Sequence, residues 1–274
     1  MKPMNNHKAK VIAVMNQKGG VGKTTTVLNL GVGLARQGFK VLLIDADPQG
    51  SLTVSLGVQN HEDLDVTLAS VMNTVMEGKL LKPTYGIARH REHVYYVPAN
   101  RSLSGTVNAL KGADNRESVL KTFVDGVRDR YDYILIDCLP SLGIMAINCL
   151  VAADSVIIPT HPAFLSTKGL SQLLNTIARV KKNMNPNLQI DGILLTVVEI
   201  WTRNARDIIG ALRRGIGRHV HIYHTIIPKS VRAAECSNTG VSIFRHNRTG
   251  KVAMAYEELV EEVVLYGNEA AQAN

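Results

Sequence analysis

Two lysines, two threonines and three aspartates in this sequence have the types and the setting to handle a phosphorylated ligand. The stretch NQKGGVGKTT, residues 16–25, contains Lys18, Gly19, Gly20, Val21, Gly22, Lys23, Thr24 and Thr25. Its glycines let a backbone curl around phosphate oxygens and turn its N–H groups inward, and a helix opening behind them adds the positive end of its dipole. In such a loop Lys23 neutralises the β- and γ-phosphates, the Thr24 hydroxyl binds Mg2+ and Thr25 reaches the α-phosphate. The common spacing G-x-x-x-x-G-K-[ST] would put glycine where Gln17 stands, and it makes no provision for a lysine at 18.

The aspartates lie elsewhere along the chain. LLIDADPQG, residues 42–50, brings Asp45 and Asp47 to the end of an apolar run. A carboxylate there orients an attacking water, which is the role expected of Asp47, while Asp45 supports the Mg2+ shell. YILIDCLPS delivers Asp137 to the same kind of position, as a partner of the Mg2+ shell. Each alone has an ordinary alternative, since Asp-Pro pairs form turns and a strand-end aspartate caps helices.

These residues need a scaffold that gathers them at one edge. Apolar, β-branched runs recur at 11–16, 41–45, 94–98, 133–137, 155–160, 193–198 and 224–228, each reading as a strand. Near-continuous apolar strands suit a parallel sheet covered on both faces. Between them lie helical stretches, TTTVLNLGVGLARQG ending on Gly38 and another over 166–183, with glycine as the terminating residue of the first. The expected fold is α/β, a doubly wound and mostly parallel sheet flanked by helices on both faces, with ligands at the carboxyl ends of the strands. No repeat or linker divides the chain, so residues 1–274 read as one domain with a flexible tail over 1–10.

Composition narrows the function classes. The 45% apolar content suits a globular protein, no apolar run approaches the length of a membrane span, and the polar start MKPMNNHKAK lacks the pattern of a signal peptide. A cytoplasmic location is expected. Cys138, Cys149 and Cys236 show no paired spacing and read as small buried apolar residues. The formal charge of +8 is concentrated: residues 200–251 hold ten lysines and arginines against Asp207 and Glu235. Within RNARDIIGALRRGIGR, helical spacing gathers Arg203, Arg206, Arg213, Arg214 and Arg218 on one side, opposite Ala205, Ile208, Leu212 and Ile216. Such a face is either solvated or meets a polyanion.

KGGVGKTT together with DADPQG and ILIDCLPSLG resembles the deviant Walker A ATPases of the ParA/MinD superfamily, and particularly the ParA/Soj partition ATPases. The resemblance continues through 169–177, 192–198, 227–235 and 250–263. It implies a Mg2+-dependent ATPase of weak intrinsic turnover and a homodimer formed on ATP binding, in which Lys18 crosses a two-fold interface to the partner subunit's nucleotide. A cation in a closing, poorly hydrated interface stabilises negative charge far better than in water. The resemblance also implies adenine contacts from Pro228 and Ser230. It further implies non-specific DNA binding by residues matching Arg203, Lys229 and Arg232, a ParB-like centromere-binding partner, and association with the nucleoid. Phosphate contacts of this kind carry no sequence information and weaken with salt. Two segments depart from the family pattern: Leu139 stands where a proline is common, and THPAFLSTKGL at 160–170 differs from the more usual acidic and aromatic version of that segment. No helix-turn-helix is visible in the ten residues before the first strand, so direct action at an operator is not expected.

Three rival readings share the phosphate loop. A MinD-type membrane ATPase needs a basic amphipathic tail, whereas 256–274 carries Glu257, Glu258, Glu261 and Glu262, which an anionic surface repels. That tail reads as a helix packing Val252, Tyr256, Leu259 and Val263 on the sheet. An iron–sulfur ATPase would use Cys138, for which the sequence offers no second ligand at a matching strand end. An ATP-switched regulator of transcription or replication remains a reading of the same residues.

Overall fold

The structure, a computed structural model, describes residues 8–162, 168–199, 207, 209, 210, 212, 214, 217 and 220–272. Its strands are β1 (Lys10–Val14), β2 (Val41–Ala46), β3 (Ala88–Arg89), β4 (Tyr95–Val97), β5 (Tyr133–Cys138), β6 (Ser155–Thr160), β7 (Gln189–Val198) and β8 (Ile222–Pro228). They form one sheet in the order β3-β4-β2-β5-β1-β6-β7-β8. All pairs are parallel except β3 with β4. β1 lies between β5 and β6; the chain leaves β1 toward β2 on one side and leaves β5 toward β6 on the other, so the loop after β1 opens at the switch point where ligands sit in doubly wound sheets.

Helices cover both faces: α1 (Lys23–Arg36), α2 (Ser51–Ser55), α3 (Leu68–Met76), α4 (Ser102–Ala109), α5 (Val119–Val127), α6 (Ile144–Ala152), α7 (Lys168–Asn183), α8 (Val231–Thr239), α9 (Ile243–His246) and α10 (Lys251–Gln272). Alternation along the strands divides the apolar residues into two layers. Val11, Ala13, Leu42, Ile44, Ile134 and Ile136 face α3 to α7. Ile12, Val14, Leu43 and Leu135 face α1, α2 and α8 to α10. Every residue of β2, β5 and β6 is buried, which is why these strands read as unbroken apolar runs.

All seven strands read from the sequence are present, with ends shifted by a few residues. β3 was not foreseen, because two residues carry no periodic signal. The helix expected over 166–183 is α7, and Gly38 follows α1 with a left-handed φ of 89°. Val252, Tyr256, Leu259 and Val263 of α10 are buried against the sheet, as their spacing predicts. The expected flexible tail over 1–10 is corrected at its end. Ala9 is buried and exchanges hydrogen bonds with Arg128 at 3.2 and 2.8 Å, and Lys10 opens β1 with its ammonium 3.1 Å from Asp191. A residue flanking a central strand has backbone groups to satisfy, and Arg128 satisfies them.

Two contacts tie α1 to the C-terminal helices. The Asn29 amide donates to the Thr25 carbonyl at 2.8 Å while its oxygen accepts from the Ile243 N–H at 2.8 Å. The Thr26 and Tyr256 hydroxyls meet at 3.3 Å in a fully buried pair. At the sheet's far edge, the Glu262 carboxylate of α10 accepts the backbone N–H groups of His224 and Thr225 in β8, at 2.7 and 3.1 Å.

Candidate functional site

β1 ends beneath a loop that turns into α1, and two glycines make the turn. Gly20 and Gly22 have φ of 72° and 78°, in the left-handed region that costs other residues about 1–2 kcal/mol. A β-carbon on Gly20 would meet nothing within 4 Å, so the backbone conformation rather than lack of space requires glycine there. Asn16 braces the start of the loop. Its amide donates to the Pro159 carbonyl and the Thr160 hydroxyl at 2.7 and 2.6 Å, and its oxygen accepts the Lys18 N–H at 3.0 Å. Lys18, Gly19 and Gly20 are exposed on the rim, while Val21 is buried. The Val21 carbonyl accepts a 2.8 Å hydrogen bond from Thr196 of β7.

The two lysines are placed differently. Lys23 is only 8% exposed, and its ammonium donates to the Lys18 carbonyl at 3.1 Å. Burial lowers its pKa, opposed by the nearby Asp137 carboxylate. Thr24 donates its hydroxyl to Asp137 Oδ2 at 2.7 Å. Asp137 is 2% exposed, and its Oδ1 is a buried atom with no hydrogen-bond partner among the described residues. Burial raises its pKa well above the carboxylate range, and the charge of Asp45 adds to the rise. The strand register sets Asp45 directly opposite Asp137.

Asp45 and Asp47 have separate environments two residues apart. Asp45 is fully buried; its Oδ2 accepts both the N–H and the hydroxyl of Thr53, at 2.8 and 2.7 Å, and its Oδ1 accepts the Asp47 N–H at 3.2 Å. Burial pushes its pKa up to about 6, against the opposing effect of the Thr53 bonds. Asp45 therefore shapes the loop that presents Asp47. Asp47 is half-buried, and its Oδ1 accepts the Gln49 N–H at 2.9 Å while its carbonyl accepts from Gly50.

These residues fit a divalent cation beside a phosphate chain. A Thr24 hydroxyl that gives its proton to Asp137 keeps its lone pairs for a cation, and the bare Asp137 oxygen is an acceptor for a cation-bound water. Two buried carboxylates in register also favour positive charge between them and the ligand.

The remaining candidates are dispersed. Pro228 ends β8 opposite Val198, and Ser230 precedes α8; both are half-buried. Arg214, Lys229 and Arg232 are exposed, and the Lys229 ammonium lies 2.7 Å from Glu199 in a surface ion pair. Arg203, Arg206, Arg213 and Arg218 lie outside the described residues, as does most of the helix read there. Ile209 is buried and Leu212 half-buried against the α7 side of the sheet. All three cysteines are free and buried. Sequence reading did not single out Asn16, Thr53 or Thr196. Asn16 had a signal, an amide at a strand end; Thr196 had none, because its partner is 175 residues away.

Residues 9–190 match the profile of a family described as an AAA domain. The chain is 39% identical over 264 residues to the sporulation initiation inhibitor protein Soj of Bacillus subtilis (strain 168), covering 94% of this chain and 99% of that protein. It is 36% identical over 255 residues to the chromosome partitioning protein ParA of Myxococcus xanthus (strain DK1622), covering 93% and 88%. Among solved structures it resembles cobyrinic acid a,c-diamide synthase from Mycobacterium smegmatis with bound ADP and magnesium, with a TM-score of 0.82, 32% identity and 96% of each chain covered.

Proposed function

Because this chain belongs to the ParA/MinD superfamily of P-loop ATPases, we propose that it is a DNA partition ATPase that works with ATP and Mg2+. The loop N–H groups and Lys23 hold the phosphates, and Thr25 reaches the α-phosphate. Thr24 would hold Mg2+, with Asp137 behind it and Asp45 bracing the neighbouring loop. Bound there, the ion draws charge from the phosphate oxygens. Asp47 orients the attacking water. Pro228 and Ser230 border the adenine, and hydrolysis is slow until stimulated.

Lys18 reaches across a two-fold interface to the nucleotide of the partner subunit. The observation that carries the reading is the contrast between the lysines: Lys23 is buried within its own loop, whereas Lys18 stands exposed on the rim. A cation on the rim gains most when a second negatively charged surface closes over it and excludes water. The closed dimer presents Arg203, Arg206, Arg213, Arg214, Arg218, Lys229 and Arg232 to DNA without reading its sequence. A ParB-like protein stimulates hydrolysis, the dimer opens and DNA is released. The protein then acts in the cytoplasm, on the nucleoid.

Sedimentation with a non-hydrolysable ATP analogue, followed by gel shifts on unrelated DNA fragments at rising salt, tests the proposal. A nucleotide-dependent dimer and salt-sensitive, sequence-independent binding are expected. A chain that stays monomeric with saturating analogue, or binds DNA equally without it, would remove the partition reading. The synthase name carried by the M. smegmatis neighbour is the less favoured reading. The relatives named Soj and ParA are more alike in sequence, at 39% and 36% against 32%.

A further inference from the structure

Val197 in β7 is a β-branched residue with φ of 55°, a conformation such side chains rarely adopt and one associated with stored strain. It sits where the pairing of β7 with β8 changes register, between Leu195 and Val198. Side-chain facing records the same extra residue. Ile193 and Leu195 pack on the α3 to α7 side of the sheet, and Leu194 packs on the α1 side. Regular alternation would send Val198 to the α1 side, yet it packs with Ile193 and Leu195. A bulge of one residue accounts for the pairing, the φ and the facing together.

Thr196 stands just before the bulge, in the regular alternation of β7. On the α1 side of the sheet and 1% exposed, it donates its hydroxyl to the Val21 carbonyl at 2.8 Å. One step beyond the bulge, Val198 pairs with Pro228 and its carbonyl accepts the Lys229 N–H at 3.0 Å. The bulge thus lets one strand end serve the phosphate loop with Thr196 and the strand end at Pro228 with Val198. In a trans peptide the C=O and the following N–H point in opposite directions. Fixing the Val21 carbonyl toward β7 therefore turns the Gly22 N–H toward the interior of the loop.

We propose that Thr196, held on the α1 side by the regular alternation of β7 just before the Val197 bulge, positions the phosphate loop: its hydroxyl fixes the Val21 carbonyl and so presets the Gly22 N–H to receive a phosphate oxygen. Thr196 is a positioning residue, because it acts through the peptide and touches no ligand. The inference rests on the reading of this loop as an ATP site.

The test is the affinity of full-length protein for a fluorescent ATP analogue with Mg2+, together with deuterium uptake across residues 19–25. Thr196→Val keeps the shape, removes the donor and leaves a carbonyl unsatisfied, so affinity should fall about tenfold and loop uptake should rise. Thr196→Ser restores the hydroxyl and should stay within about twofold of wild type. Val197→Gly accepts positive φ without strain, so the bulge and the affinity should both persist. Wild-type affinity in Thr196→Val, or equal losses in the Val and Ser variants, would overturn the inference. If Thr196→Val does not fold, Thr196→Ala, which also lacks the donor, takes its place: about a tenfold loss with raised loop uptake upholds the inference, and wild-type affinity overturns it. Failure of wild-type protein to bind the analogue would instead remove the ATP-site reading itself.

Discussion

The Thr24 hydroxyl donates a 2.7 Å hydrogen bond to Asp137 Oδ2, joining the first turn of α1 to the end of β5. The other Asp137 oxygen is buried without a partner among the described residues. Asp137→Ala should lower Mg2+-dependent phosphate release about ten- to a hundredfold, while ATP binding in EDTA changes little. Equal losses with and without Mg2+ would show that Asp137 serves only the fold.

The two loop lysines should separate binding from assembly. Lys23→Ala removes charge-assisted contacts inside one subunit and should weaken ATP binding by about ten- to a hundredfold. Lys18→Ala should leave binding to the single subunit nearly unchanged and abolish the ATP-dependent dimer in sedimentation velocity. A Lys18→Ala protein that still dimerises with ATP would contradict the interfacial role.

Asp47→Ala should slow stimulated hydrolysis by about a hundredfold or more while preserving ATP binding and the dimer, so the protein stays on DNA in a release assay. The substitution leaves the bonds from Asp45 to Thr53 in place. Turnover at the wild-type rate would transfer the role to another group.

Proton exchange should accompany ligand binding. Asp45 titrates near 6 in the folded chain and Asp137 is also raised, burial being the first cause of both. A raised carboxylate makes the folded state hold protons that the unfolded state has released. Stability without ligand should therefore fall as pH rises from about 4 through 6. A cation at Thr24 lowers both pKa values again, so Mg2+ and ATP should bind with proton release near pH 6 and more tightly as pH rises through that range. Calorimetry in buffers of different ionisation enthalpy reads the proton count; uptake at pH 6 would contradict the assignment.

Asn29 should matter for the fold without touching the ligand. Asn29→Ala breaks its bonds to Thr25 and Ile243 and leaves the Ile243 N–H buried, at a cost of about 1–3 kcal/mol. Thermal melting should show a Tm lowered by several degrees, and an unchanged Tm would mean that water replaces both bonds.

What the sequence made legible was local. The loop from Lys18 to Thr25 is contiguous, and Asp45 and Asp137 each end a strand whose apolar run announces it, so one sheet edge could be inferred before any contact was known. Tertiary partners were not legible in the same way. Thr53 engages Asp45 from eight residues away and Thr196 engages Val21 from 175 away. Nothing in the type of either threonine distinguishes it from others in the chain. The polar composition of residues 1–10 predicts a tail, but backbone pairing of Ala9 with Arg128 and of Lys10 with β5 overrides composition. The bulge at Val197 was hidden inside GILLTVV, which reads as an uninterrupted strand.

The Glu262 carboxylate occupies the backbone donors of His224 and Thr225 in β8, the strand at one edge of the sheet. An open strand edge is a template on which another chain can lay its own strand, a hazard during synthesis and at high local concentration. In this molecule the guard is a side chain of α10, 38 residues after His224, so the edge is closed only once α10 has been made and has folded against β8. Until then a nascent chain has reason to need a chaperone, and a fragment ending before α10 would be aggregation-prone even with every phosphate-loop residue in place.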